Sequence, residues 1–198
     1  MAFLPESKAQ RCYLCRPIGA ISLVMSLLEL QDLRTHIYLE EGVLKAVDGV
    51  DLKIDGGEIV GLVGESGCGK SMPALSVVRL TPREAETVGG RILFEDQDLL
   101  TLNEDQLNEL RGRKISMVFQ DPLTYLNPVM KIKSQVAEPL MLHQGLNKAE
   151  AEAQSVHILN AMGLGDAANI AESYPHELSG GMKQRVLMAI PSGVTLPF

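Results

Sequence analysis

Cysteine, long apolar runs, net positive charge and metal-spaced histidines are all scarce or missing, and each shortage removes a class of protein. Cys12 and Cys15 form one CxxC, but zinc needs four ligands and no second pair follows. The third cysteine, Cys68, lies in a glycine-rich loop, and usage this sparse suits a reducing cytoplasm rather than a disulfide scaffold. No apolar run reaches the ~18–20 residues that cross a bilayer. The best stretch, "PIGAISLVMSLLEL" from Pro17, is interrupted by Gly19, Ser22 and Ser26 and has no cleavage site behind it, so no signal peptide is expected. A net charge of -7 argues against non-specific binding to nucleic acid or to an anionic membrane surface. Membrane contact would therefore come through a partner protein. His36, His143, His157 and His176 lack metal-ligand spacing and read as surface or packing residues.

What remains is 198 residues, 45% apolar and 22% charged, enough for one soluble domain with a real core. Residues 1–24 carry Lys8, Arg11 and Arg16 against Glu6 and show no clear period, so they read as an extension without a fold of its own. Order begins at Met25. Leu28, Leu30, Leu33 and Ile37, then Val43, Val47, Val50, Leu52 and Ile54, fall in short stretches bounded by Glu-Gly, Asp-Gly and Gly-Gly, which predicts strands and turns. "EIVGLVG" (58–64) and "KISMVFQDP" (114–122) predict two buried strands, with another at 91–94. Thr101 with Glu104 predicts a capping box opening a helix to about Arg111. Helices dominate from about Val129. One is capped by Asn147 and stopped at Gly163 or Gly165, and a last one runs from Ser179 towards Pro191.

Gly64-Glu65-Ser66-Gly67-Cys68-Gly69-Lys70-Ser71 fits G-x-x-x-x-G-K-[ST], directly after an apolar strand and before a helix. The glycines let backbone N–H groups turn inward around a β-phosphate, and the helix N-terminus adds its positive end. Lys70 would reach the β/γ oxygens and the Ser71 hydroxyl would ligate Mg²⁺. Purine nucleotide binding follows. The loop alone does not choose between a kinase, a GTPase and a motor.

"LSGGMKQR" (178–185) does choose. With "EEGVLKAVDGV", "GESGCGKS", "MVFQDP", "LNPV" and "YPHELSGGMKQRV", the chain from Met25 to about Ile190 resembles the ABC ATPases, specifically their peptide- and nickel-importing branch. The resemblance implies an α/β fold: a P-loop NTPase core with an antiparallel β subdomain and an α-helical signature subdomain at about 129–190. It also implies ATP and Mg²⁺ as cofactors. Ser179 can cap the last helix while Gly180 and Gly181 leave its first N–H groups bare. In the family that helix end grips the γ-phosphate of ATP held by the other subunit, in a head-to-tail dimer. By resemblance Gln120 is the glutamine that touches Mg²⁺ or the attacking water; judged alone it is equally a polar strand terminus. The loop Asp121–Val129 would receive a coupling helix from membrane-spanning permease subunits, placing the protein at the cytoplasmic face of the plasma membrane. Tyr125 stands there where the branch carries a small residue. Tyr38, upstream of the P-loop, fits adenine stacking and fits an ordinary half-buried strand equally well.

Hydrolysis in this family uses an apolar strand ending in Asp-Glu and a later switch histidine, both after the signature helix. Here Ile190 is followed by "PSGVTLPF", and neither "ILFED" nor "SMVFQD" gives the pattern. The expectation is an N-terminal fragment, 25–190, lacking the C-terminal part of the core and followed by an aberrant tail, 191–198. Such a chain would leave "EIVGLVG" as an exposed apolar edge, be marginally stable and hydrolyse ATP near background. Two functions of different class stand: the ATP-binding, energy-coupling subunit of an importer for peptides or related solutes, or a non-catalytic nucleotide-binding remnant of a disrupted gene. Another P-loop enzyme, such as a small-molecule kinase, leaves LSGGMKQR unexplained.

Overall fold

The structure is a computed structural model that describes residues 13–15, 26–65, 67–119 and 122–195. The chain divides into two compact units, Met1–Asn103 and Glu104–Phe198.

The first unit is built on a four-stranded antiparallel sheet. Strand β1 is Tyr13–Cys15, β2 is Ser26–Leu39, β3 is Gly42–Asp55 and β4 is Gly61–Val63. Helix α1 (Ser71–Val77), β5 (Ala85–Phe94) and β6 (Gln97–Asp98) follow. The sheet order is β3-β2-β5-β6, so β2 is paired on both edges. Leu30 faces Leu52 on one side and Ile92 on the other, and all three are buried. Leu30 and Leu33 are three apart, which strict alternation would put on opposite faces. Register shifts between them and a positive φ of 46° at Asp32 mark a bulge that turns both inward. Gly90 is required at that crossing. Its φ is +88°, and a Cβ there would lie 2.5 Å from the Gln31 carbonyl oxygen. Helix α1 packs on β2 and β3.

Four expectations change in shape. Glu58–Gly64 was expected as a buried strand. The structure has only Gly61–Val63, with Ile59 93% and Val63 60% exposed. Its sole partner among the described residues is β1, so no layer covers it, and it presents the open apolar edge. Tyr13–Cys15 thus forms a strand inside a stretch expected to be unstructured, because the free edge of β4 supplies it with hydrogen-bonding partners. Ile115 makes an isolated bridge to Arg111 and residues 116–119 form no regular element, so the described residues of the run at 114–122 form no strand. A parallel strand needs a neighbour to pair with, and none lies beside it among the described residues. Thr101 does not cap α2. Its hydroxyl donates to the Asp98 carbonyl at 2.8 Å, closing the 3-10 turn Leu99–Thr101, and α2 starts at Glu104 (Glu104–Leu110).

The second unit is helical after α2: α3 (Pro122–Tyr125), α4 (Ile132–Gln144), α5 (Lys148–Ala161), α6 (Ala167–Glu172) and α7 (Gly180–Thr195). The helical segment expected from about residue 129 lies within it. Asn147 and Glu150 form the reciprocal capping box of α5. Gly163, at φ +72°, follows the helix. Ile132, Val136 and Leu140 repeat every four residues along α4 and reach zero exposure, as do Ile158 and Leu159 of α5 and Val186 of α7. Each such side chain contributes about 1.5–3 kcal/mol by leaving water. Helix α7 continues through Pro191 to Thr195, beyond the expected stop. Proline withholds one donor, yet a helix already anchored by Val186 and Ala189 absorbs that loss.

Candidate functional site

The P-loop runs from the end of β4 to the start of α1. Gly67 and Gly69 hold φ of +83° and +87°, a conformation that side chains with a Cβ resist. A Cβ on Gly69 would also meet the Ala46 carbonyl oxygen of β3 at 2.5 Å, so glycine is what lets the loop sit against the sheet. A Cβ on Gly67 would meet nothing within 4 Å, so that side of the loop is open. Lys70 bends its amine back into the loop, donating to the Gly64 carbonyl at 2.8 Å and to the Glu65 carbonyl at 2.5 Å. Its Nζ also lies 3.5 Å from Cys68 Sγ. The loop thus curls around an ammonium group and presents an open flank, a donor set suited to phosphate oxygens. Ser71, first residue of α1, is exposed, so its hydroxyl is free to face a Mg²⁺ ion bound with nucleotide. Held there by Ser71, Mg²⁺ would supply positive charge against the phosphates. Ser66 lies outside the described residues, as do Gln120 and Asp121.

The second anion-facing element is the start of α7. Ser179 Oγ accepts from the Met182 N–H at 3.4 Å, and the Ser179 carbonyl accepts the first helical bond from Lys183 at 2.9 Å. That is N-cap geometry. Gly180 and Gly181 are exposed, and a Cβ on either would meet nothing within 4 Å. Buried Leu178 holds the entry to the helix. Before it, Tyr174 N–H donates to the Glu177 carboxylate at 2.6 Å across a 3-10 turn at Pro175–Glu177. Arg185 ties α7 to the end of α5 by donating to the Gly163 carbonyl at 2.7 Å. The P-loop belongs to the first unit and the signature segment to the second.

Phe119 and Tyr125, which flank the undescribed Gln120 and Asp121, stack with centroids 4.0 Å apart and planes at 11°. Farther along the loop, Gln135 was not anticipated from the sequence. Its Nε2 donates to the carbonyls of Asn127 (3.0 Å) and Met130 (2.9 Å), and its Oε1 accepts from Asn127 N–H (2.9 Å). A buried amide with no apolar period marks no pattern that a sequence scan could find. Val129, 79% exposed, stands out from the turn so pinned. Tyr38 lies on β2 opposite Val43, 46% exposed, with its ring available on the surface of the first unit. His176 stacks on Tyr174 at 5.7 Å and His36 is half-buried on β2. No cluster of histidine, cysteine and carboxylates among the described residues could hold a metal.

Among the described residues no helix is long and apolar enough to cross a membrane. The family model described as ABC transporter matches residues 47–192. The chain is 46% identical over 165 residues to the probable peptide ABC transporter ATP-binding protein y4tR of Sinorhizobium fredii, covering 83% of this chain and 49% of that protein. It is 44% identical over 164 residues to the oligopeptide transport ATP-binding protein OppD of Salmonella typhimurium, with 83% and 49% covered. The chain thus spans about half the length of the curated relatives it matches. Among solved structures, the dimeric bacterial ABC transporter cassette MJ0796 superposes with a TM-score of 0.73 at 25% identity, covering 85% of this chain and 70% of that one. Sheet, loop and helical unit together place the chain where its motifs do: it belongs to the ABC transporter ATP-binding family, with the mixed α/β cassette fold of that family.

Proposed function

We propose that this chain is the nucleotide-binding part of an energy-coupling subunit that drives import of peptides or related solutes. The observation that carries it is the Lys70 amine held inside a loop whose Gly67 flank is open. In this reading Gly64 to Gly69 and Lys70 hold the phosphates of ATP, Ser71 and Gln120 ligate Mg²⁺, and Gln120 orients water. Ser179, Gly180 and Gly181 grip the γ-phosphate of a nucleotide bound by a second, similar subunit. Tyr38 faces the adenine. The dimeric state of MJ0796, and its structure with ADP and Pi, support the same arrangement here. Peptide import rests on the relatives named for that activity. Permease subunits would dock on the loop Asp121–Val129, at the cytoplasmic face of the membrane.

Residues 25–190 form the partial ATPase domain of this proposal, and 1–24 and 191–198 flank it. The 198 residues contain no apolar run ending in Asp-Glu, and Leu62 and Val63 of β4 are exposed. A polypeptide of these residues therefore binds ATP and turns it over near background. The test is titration with a fluorescent ATP analogue in Mg²⁺, beside a phosphate-release assay. Saturable binding weakened about ten- to hundredfold in Lys70→Ala is expected, with no release above buffer. Absence of binding overturns the assignment of the loop, and Lys70-dependent release overturns the non-catalytic half.

A further inference from the structure

Helix α1 carries Lys70 and Ser71 at its start, and two buried hydroxyls join its other end to the sheet. Thr35 of β2 and Ser76 of α1 are both 0% exposed, and their Oγ atoms lie 2.9 Å apart. Thr35 Oγ1 has a weaker contact with Thr87 Oγ1 of β5 at 3.4 Å. The surroundings are apolar: Val47 is the register partner of Thr35 on β3, Leu33 is its same-face neighbour on β2, and Val77 and Val78 follow Ser76. Replacing both partners of a buried hydrogen bond by apolar groups of like shape is nearly neutral for stability. Burial alone therefore gives no reason for hydroxyls at this depth. A directional bond does what apolar contact cannot, because it fixes how far the helix turns and slides along the sheet. The other anchor is Gly69 against the carbonyl of Ala46, the residue before Val47. Helix α1 is thus pinned near both ends to the same stretch of β2 and β3.

We propose that Thr35 and Ser76 are positioning residues for nucleotide: their hydrogen bond sets the seat of α1, and with it where Lys70 and Ser71 meet the phosphates. The inference rests on the nucleotide reading of the loop. Ser76→Ala in the full chain removes one hydroxyl while Thr35 keeps Thr87, so the variant retains its fold. Thr35→Val/Ser76→Ala removes both. Displacement of a fluorescent ATP analogue by ATP and by AMP separates seating from general damage. Both variants are expected to lose about three- to tenfold in ATP affinity, the worth of one net hydrogen bond. Their AMP affinity should hold, and the double variant should melt within about 3 °C of wild type. Thr35→Ser, which keeps the bond, should keep the wild-type ATP-to-AMP ratio. An unchanged ratio in both hydroxyl-deleting variants, or equal loss of both ligands, overturns the inference alone. A wild-type chain that binds neither nucleotide overturns the loop assignment and the inference together.

Discussion

The Lys70 ammonium lies 2.8 Å from the carbonyl oxygen of Gly64, six residues back along its own loop. The same amine reaches the Glu65 carbonyl, so two backbone acceptors occupy a cation that the loop exists to offer. In the proposed function, phosphate exchanges with those carbonyls to claim it. Lys70→Ala should weaken ATP binding by roughly ten- to hundredfold, the range of a charge-assisted hydrogen bond. Because the amine anchors no core contact, the melting temperature should stay near wild type. Titration with ATP and a thermal melt of the same sample check both halves.

Two leucines on α4 make a matched pair. Leu140 is 0% exposed within the helical core, and Leu142, two positions on, is 74% exposed. Leu140→Ala should cost about 2–5 kcal/mol, through lost burial and the cavity left behind. Leu142→Ala should stay within about 0.5 kcal/mol of wild type. Urea unfolding followed by circular dichroism reads both. Equal effects would mean that α4 presents a different face to the core.

Glu172 gives the second unit an acid-sensitive contact. Lys131 at 2.7 Å and Lys133 at 2.6 Å hold its carboxyl down to about 2 from an ordinary 4.5, chiefly by hydrogen bonds from the two amines. A carboxyl depressed on folding stabilises fully above its unfolded value and loses that contribution as pH falls towards its folded one. The contact is exposed, so its effect is small and shrinks with salt. Glu172→Gln should melt slightly below wild type at pH 7, and the gap should close between pH 4.5 and 2. A gap that stays constant with pH would show that the carboxylate charge is not what the variant removed.

Asn147 accepts from the Glu150 N–H at 3.0 Å, and Glu150 answers with its carboxylate on the Asn147 N–H at 3.1 Å. Asn147→Ala should cost about 1 kcal/mol, and Asn147→Asp should restore most of it. Chemical denaturation of the three proteins settles the order. If Asp fails to restore what Ala loses, the side-chain oxygen is not the group that matters.

Legibility follows the reach of each signal. Asn147 with Glu150, Ser179 before two glycines, and Gly163 after a helix are local patterns that complete themselves within four residues, and all three are found in place. The P-loop was equally legible, since its spacing encodes its own curvature. The apolar runs at 58–64 and 114–122 misled, because burial of a strand depends on neighbours remote in sequence, and among the described residues Leu62 and Val63 pair with Tyr13–Cys15 alone. Thr101 offered a valid cap but found the Asp98 carbonyl nearer. Thr35 and Ser76, 41 residues apart, carry no pattern at all.

Strand β2 sits in the middle of its sheet, and that placement gives the first unit a timetable. Its partner β3 arrives after a two-residue turn, whereas β5 arrives only once residues 56–84 have been made. Until then one edge of β2 stands open, and closing that long excursion costs more loop entropy than the two-residue turn does. The excursion contains the P-loop and α1. In the proposed function, a nucleotide holding those residues would bind only the closed form, and so would act as a clasp on the sheet itself, drawing newly made chains towards the folded state by mass action.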